Sequence, residues 1–159
     1  YQDTVMYLYQ SMESDGDFND MEGSAIWPGR ETIVEGPAFS GKHSSLINSK
    51  QIYSCGFFRS MSDNSLFAHP TRLVISAQIL RGGPTDRAEL EVAQMKGDTI
   101  FFLEYRPLPP IVKAGEWQEV RYEVKIPGTV SERQIMKVYF QQLEGEVYID
   151  DFRVEVKRH

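Results

Sequence analysis

Two adjacent aspartates, Asp150 and Asp151, sit inside the most strand-like stretch of the chain, which runs from Val147 to Val156. Apolar residues alternate at Val147 and Ile149, and again at Phe152, Val154 and Val156. The two runs are out of phase, and the slip falls on the Asp pair. Period-two alternation marks a half-buried strand, and a slip inside it marks a bulge that re-aims side chains. A carboxylate among core-facing positions is costly unless it is paired or bound to a metal. The pair therefore needs a neutralising partner, either a hydrogen-bonding cap or a cation. A second acidic run, Asp15-Gly16-Asp17-Phe18-Asn19-Asp20, has the look of a calcium loop. It lacks Gly at the sixth position and has Ile26 where the twelfth needs Glu, so it is no EF-hand and reads as a solvated turn.

Groups suited to catalysis do not converge. His43, His69 and His159 have no spaced His or Cys partner for zinc. Ser44 and Ser45 lack a nucleophile-elbow context, and Gly82-Gly83-Pro84 is a turn rather than a phosphate loop. Glu89 and Glu91 point to one side of a strand and have the types for acid–base work, but a solvated face is the default for such a pair. The single cysteine, Cys55, excludes an internal disulfide and reads as a buried strand residue. No enzymatic activity is expected.

The elements that carry these residues are strands. Runs recur at Glu31–Glu35, His43–Asn48, Ile52–Arg59, Thr71–Arg81, Ala88–Gln94, Thr99–Arg106, Trp117–Ile126, Gln134–Leu143 and Glu146–Lys157, separated by Gly, Pro, Asn and Asp. This spacing predicts an all-β sandwich or barrel. Leu143-Glu144-Gly145-Glu146 reads as a hairpin joining the last two strands. Val5–Met12 is the best helical candidate. Alternation assigns Leu73, Ile75, Ala77, Ile79, Leu90, Val92, Val120, Tyr122, Val124, Met136, Val138 and Phe140 to the core. Gln78, Glu91, Glu104, Arg121, Tyr139 and Gln141 fall on non-core faces. If their strands are neighbours in one sheet, they form a polar groove with one aromatic; an ordinary wet sheet face is the alternative.

The 159 residues suit one domain, and 41% hydrophobic with 12% aromatic residues supply one sizeable core. A net charge of −6 argues against a nucleic-acid backbone or an anionic membrane surface as the main partner. No apolar run is long enough to span a membrane, and no signal peptide is visible. The chain starts at Tyr1, which reads as a processed protein or a piece of a longer one, with parent-protein domains beside it.

Three segments together resemble the jelly-roll carbohydrate-binding modules attached to glycoside hydrolases and other extracellular bacterial proteins. Ser11-Met12-Glu13-Ser14-Asp15 is similar to their opening aromatic-Glu strand, with Met12 in place of the aromatic. Ala38-Phe39-Ser40-Gly41-Lys42-His43-Ser44 resembles their Ser-Gly-Lys turn, and Val147–Phe152 their closing strand. A Trp-led strand from Trp117 to Pro127 and a strand through Val138-Tyr139-Phe140 lie in the matching order. The resemblance covers about residues 11–157. It implies an all-β jelly-roll sandwich of two antiparallel sheets and a non-catalytic, extracytoplasmic module (periplasmic, cell-surface or secreted) whose partner is a glycan or oligosaccharide.

The resemblance also implies a structural calcium ion, with Glu13 and Asp150 as carboxylate ligands and Lys42 giving its backbone carbonyl; Asp15 can join them. Sugar recognition needs flat rings and hydrogen-bonding groups. Gln78, Glu91, Glu104, Arg121, Tyr139 and Gln141 are then the ligand contacts, with Tyr139 the one stacking ring. Trp27 is a second possible platform in a loop, and Tyr105 can line a loop-end site. Tyr53, Phe57 and Phe58 read as core, and Trp117 as a strand-start packing residue. The alternative is a structural or protein-interaction domain with this fold and no sugar site, appended to a cell-envelope or membrane enzyme such as a glycosyltransferase.

Overall fold

The longest of the described strands, Val147–Arg158, is also the last of them and lies in the middle of a sheet. The computed structural model describes residues 14–23, 27–63, 65–128 and 133–158. The strands are β1 (Ser14–Asn19), β2 (Ile33–Glu35), β3 (His43–Ile47), β4 (Phe57–Ser60), β5 (Thr71–Leu80), β6 (Arg87–Lys96), β7 (Thr99–Pro107), β8 (Trp117–Ile126), β9 (Ile135–Glu144) and β10 (Val147–Arg158). The first sheet runs β2-β3-β10-β5-β8, with β1 also on β10, and the second runs β4-β9-β6-β7. Every pairing is antiparallel. The two-sheet β-sandwich expected from alternation is the observed architecture.

The core is the set that alternation selects. Leu73, Ile75, Ile79, Val120, Val124, Phe152 and Val154 from the first sheet are buried against Phe57, Leu90, Val92, Met136, Val138 and Phe140 from the second. Phe140 and Phe152 meet at 5.1 Å between ring centres. Trp27 joins them: it is buried, packs edge-on to Phe57 and Phe152, and donates its indole N–H to Asp17 at 2.8 Å. It is therefore a core residue and not an exposed platform.

Three local expectations change. The acidic run read as a solvated turn is strand β1, which pairs with β10 from Ser14↔Lys157 to Asn19↔Phe152. Its polar sequence carries no alternation signal, and the pairing is set by its neighbour. Leu143–Glu146 is not a hairpin, because β9 belongs to the second sheet and β10 to the first, so Gly145 (φ 69°) carries the chain across the sandwich. The strand expected from Ile52 begins only at Phe57, after a single bridge between Tyr53 and Gln141. The helical candidate Val5–Met12 lies outside the described residues.

The phase slip in β10 is a bulge. Its register with β5 shifts between Asp150 and Arg153, and Asp151 adopts a left-handed φ of 44°. The bulge sits where β10 changes neighbours, from β3 over Val147–Ile149 to β1 from Phe152 onward. Asp150 fills that gap in the ladder. Its Oδ2 accepts the amides of Phe39 and Ser40 at 2.8 and 3.1 Å, and its Oδ1 accepts the Asp151 amide at 2.7 Å. The Ser40 hydroxyl donates to Asp151 at 2.6 Å. Burial pushes the Asp150 carboxyl up to about 6, against the pull of these amides.

Candidate functional site

Cross-strand register builds a cluster on the outer face of the second sheet. Glu91 on β6 lies directly between Tyr105 on β7 and Tyr139 on β9. Its inward neighbours Leu90 and Val92 are core, so period two turns Glu91 outward, yet the flanking rings leave it only 8% exposed. The Tyr139 hydroxyl donates to Glu91. Burial and that hydrogen bond raise the Tyr139 phenol pKa, so it stays protonated and remains a donor. Burial, then the charges of Glu91 and Glu89, shifts Tyr105 in the same direction.

Two further rings stand beside Tyr139. Tyr53 meets it edge-on at 5.5 Å and Phe58 at 6.2 Å. Both keep large exposed areas (50% and 41%), as does Tyr105 at 46%. Lys137 places its ammonium 5.1 Å from the Phe58 ring centre. A groove of about 230 Å³ opens over Gly29, Glu31, Tyr53, Phe58, Lys137 and Tyr139.

The segment carrying Tyr53 is held by its backbone. Ser54 N–H donates to Phe140 O and the Phe140 N–H to Ser54 Oγ, both at 3.0 Å, while Gly56 N–H reaches Pro28 O at 3.0 Å. Two glycines allow this approach. A Cβ on Gly56 would lie 2.8 Å from Tyr139 Cβ, and one on Gly29 (φ 89°) would lie 2.7 Å from Ser54 O. Cys55 beneath is fully buried, and burial pushes its thiol up to about 11, as expected of an inert core thiol.

The structure divides the six residues expected to form one groove. Glu91, Tyr139 and Gln141 share the outer face of the second sheet, since Glu89 pairs with Gln141 and Glu91 with Tyr139. Gln78 on β5 and Arg121 on β8 lie on the first sheet, so they face away from Tyr139 across the sandwich. Glu104 pairs with the core residue Val92, which puts it on the inward side of edge strand β7, where it holds Arg106. Alternation reports whether a residue faces the core, not which sheet it belongs to. Tyr53 and Phe58, expected in the core, are exposed groove rings, while Phe57 is core. The signal was present for Phe58: if Phe57 points inward, its strand neighbour points out.

The structure describes two of the three calcium ligands implied by the resemblance, Lys42 and Asp150. Glu13 lies outside the described residues. The Lys42 carbonyl accepts the Gly36 amide at 3.1 Å, and both Asp150 oxygens accept amides. Glu22, which the sequence reading passed over, ties down the same turn. It accepts the His43 amide at 2.8 Å, the Lys42 amide at 3.1 Å and a contact from His43 Nδ1 at 2.9 Å. Burial opposes ionisation of Glu22, but these hydrogen bonds hold its carboxyl below the ordinary value. Among the described residues, no three His, Cys, Asp or Glu side chains gather as a metal set. Amide dipoles meet both carboxylates.

No protein-family model matches the chain, and no curated protein matches it. Solved structures do. The CBM22-2 xylan-binding domain from Paenibacillus barcinonensis Xyn10C superposes with a TM-score of 0.57 at 16% identity, covering 89% of this chain and 98% of that one. The C-terminal family 22 carbohydrate binding module of Clostridium thermocellum Xyn10B gives 0.55 at 16% identity, covering 98% and 97%. CBM35 from Cellvibrio japonicus Abf62 gives 0.54 at 13% identity, covering 91% and 97%. The chain has the jelly-roll β-sandwich fold of these carbohydrate-binding modules.

Proposed function

We propose that the chain is a non-catalytic glycan-binding module and that the groove over Tyr53, Phe58 and Tyr139 is its sugar site. The observation that carries this reading is the exposed ring cluster gathered around one nearly buried carboxylate, Glu91. Rings that stay exposed on a rigid sheet present flat apolar faces to the C–H faces of pyranoses. Glu91, the Tyr139 and Tyr105 hydroxyls and Gln141 supply acceptors and donors for sugar hydroxyls. Glu31, Glu89 and Glu91 border the site against one Lys137, which favours an uncharged glycan over an anionic one. In the Clostridium thermocellum module, amino acids of a cleft serve ligand binding, and the Paenibacillus domain is xylan-binding. Xylan is therefore the first ligand to test.

The experiment is native affinity electrophoresis in gels containing xylan, mixed-linkage β-glucan or glucomannan. Retardation in at least one gel is expected. Tyr53→Ala and Phe58→Ala are each expected to weaken the apparent affinity about five- to tenfold, the loss of about 1 kcal/mol of ring contact. Migration in every gel identical to that in blank gel sinks the reading. The proposal includes an extracytoplasmic place in a bacterial protein, which fails if the native protein fractionates with cytosol.

One observation favours the alternative, a protein-interaction domain on a cell-envelope or membrane enzyme. Edge strand β7 exposes Ile100, Phe101 and Leu103, the kind of apolar edge that pairs with other chains. Absence of glycan binding would leave that strand as the functional surface.

The calcium part of the reading is tested apart from sugar binding. A melting temperature unchanged in excess chelator counts against the calcium implied by the resemblance. A fall in melting temperature that Asp150→Ala abolishes supports a cation at this turn.

A further inference from the structure

The outer face of the first sheet carries a second groove, of about 370 Å³, on the side of the sandwich away from Tyr139. Register sets its floor. Gln78 on β5 faces Glu119 on β8, and Ser76 faces Arg121. Asp151 and Arg153 enter from β10. The side chains of Gln78, Glu119 and Arg121 make no hydrogen bond or ion pair with other described residues. Farther along the same two strands, Arg72 and Glu123 hold each other at 3.5 Å. Gln78, Glu119 and Arg121 thus offer uncommitted donors and acceptors on rigid strands.

The groove ends at an apolar row. Trp117 faces Leu80, Leu80 faces Tyr148, and Tyr148 faces Leu46, all on the outer side of four adjacent strands. Phe39, half exposed, stands edge-on to Trp117 at 6.2 Å, and Asp150 fixes its backbone. Two residues along a strand span about 7 Å. A ring resting on Trp117 and Phe39 therefore sets its next polar groups among Gln78, Glu119 and Arg121. At the far side the Arg153 guanidinium covers the Phe18 ring at 4.8 Å. Guanidiniums and carboxylates alternate along the floor with no excess of positive charge, which suits hydroxyl groups better than phosphate or sulfate.

We propose that this face is a second glycan-contact site, taking an uncharged, hydroxyl-rich chain, so that the module grips polysaccharide on two opposite sides. The proposal borrows only its ligand class from the reading above and does not require the Tyr139 groove to bind. Linked sites raise overall affinity without new contacts at either one.

The test uses the same xylan, β-glucan and glucomannan gels with four proteins: wild type, Tyr139→Ala, the double variant Gln78→Ala/Arg121→Ala, and all three substitutions together. Tyr139→Ala is expected to keep a weak retardation that the triple variant loses, and the double variant to bind several-fold more weakly than wild type. Matching thermal melts establish that the variants fold; Arg121→Gln alone, also several-fold weaker, replaces the double variant if it does not. A double variant that migrates as wild type, with Tyr139→Ala indistinguishable from the triple variant, overturns the second site and leaves the first standing. Retardation lost in the double variant but intact in Tyr139→Ala sustains the second site and removes the first. Unretarded wild type in every gel overturns both.

Discussion

Asp150→Ala is expected to cost about 3 kcal/mol of unfolding free energy at pH 7, and more in acid. The side chain accepts three amides, from Phe39, Ser40 and Asp151. An amide left without its acceptor in a partly buried site costs about 1–3 kcal/mol, so about 6 kcal/mol is at stake. Removing a buried charge returns part of this. The Asp150 carboxyl is raised from 3.8 to about 6, and a shift of that size corresponds to about 3 kcal/mol of penalty on the ionised form. The folded protein holds this proton more tightly than the unfolded chain, so the penalty is absent below about pH 4. It grows as pH rises from about 4 to about 6 and is complete above that. Wild type should therefore gain stability on acidification across this window relative to Asp150→Ala, which has no carboxyl there to protonate. Urea titrations of both proteins at pH 7 and pH 4.5 read the difference directly. Equal stabilities at both values would mean that the turn at Phe39 and Ser40 holds itself.

Tyr139→Ala is expected to weaken binding at the groove on the second sheet by at least a hundredfold, equivalent to about 2.7 kcal/mol. Tyr139 sits at the centre of the cluster, in contact with both Tyr53 and Phe58. Its loss removes one stacking surface and the support of two others. It also strips a hydrogen bond from Glu91, which is 8% exposed and then loses the donor that fixes it. Residues of this kind, aromatic and central, dominate binding energy. Tyr139→Phe separates the contributions. It keeps the ring and is expected to lose only about five- to tenfold, the share of one hydrogen bond. Calorimetric titration with xylan-derived oligosaccharides measures both variants. An affinity for Tyr139→Ala within threefold of wild type would place the sugar elsewhere.

Much of the architecture was written in local periodicity. Trp117–Ile126 matches β8 residue for residue, and the core faces of β5, β6, β8 and β9 follow from alternation alone. The slip at Asp150 located a real bulge. What periodicity could not carry was the crossing of the chain between sheets. Gly145 looks like any tight turn, yet it sends β10 to the opposite layer, and no local pattern distinguishes the two outcomes. The same blindness placed Gln78 and Arg121 beside Tyr139. Strand β1 was hidden because its six residues, Ser14 to Asn19, contain one large apolar side chain. Its conformation comes from β10, not from its own propensity. The groove rings were obscured differently. Adjacent aromatics such as Phe57 and Phe58 look like core material, and only strand geometry separates the buried one from the exposed one.

The central position of β10 governs how the polypeptide acquires its shape. β1, β3 and β5 all lean on a segment that leaves the ribosome after every one of them. Until Val147–Arg158 emerges, the larger layer is split into a β2–β3 pair and a β5–β8 pair, with a slot between them. Such long-range closure folds slowly and all at once, and the waiting strands are exposed to stray pairing meanwhile. Among the described strands, β1 thus waits longest, because the neighbour it pairs with is β10.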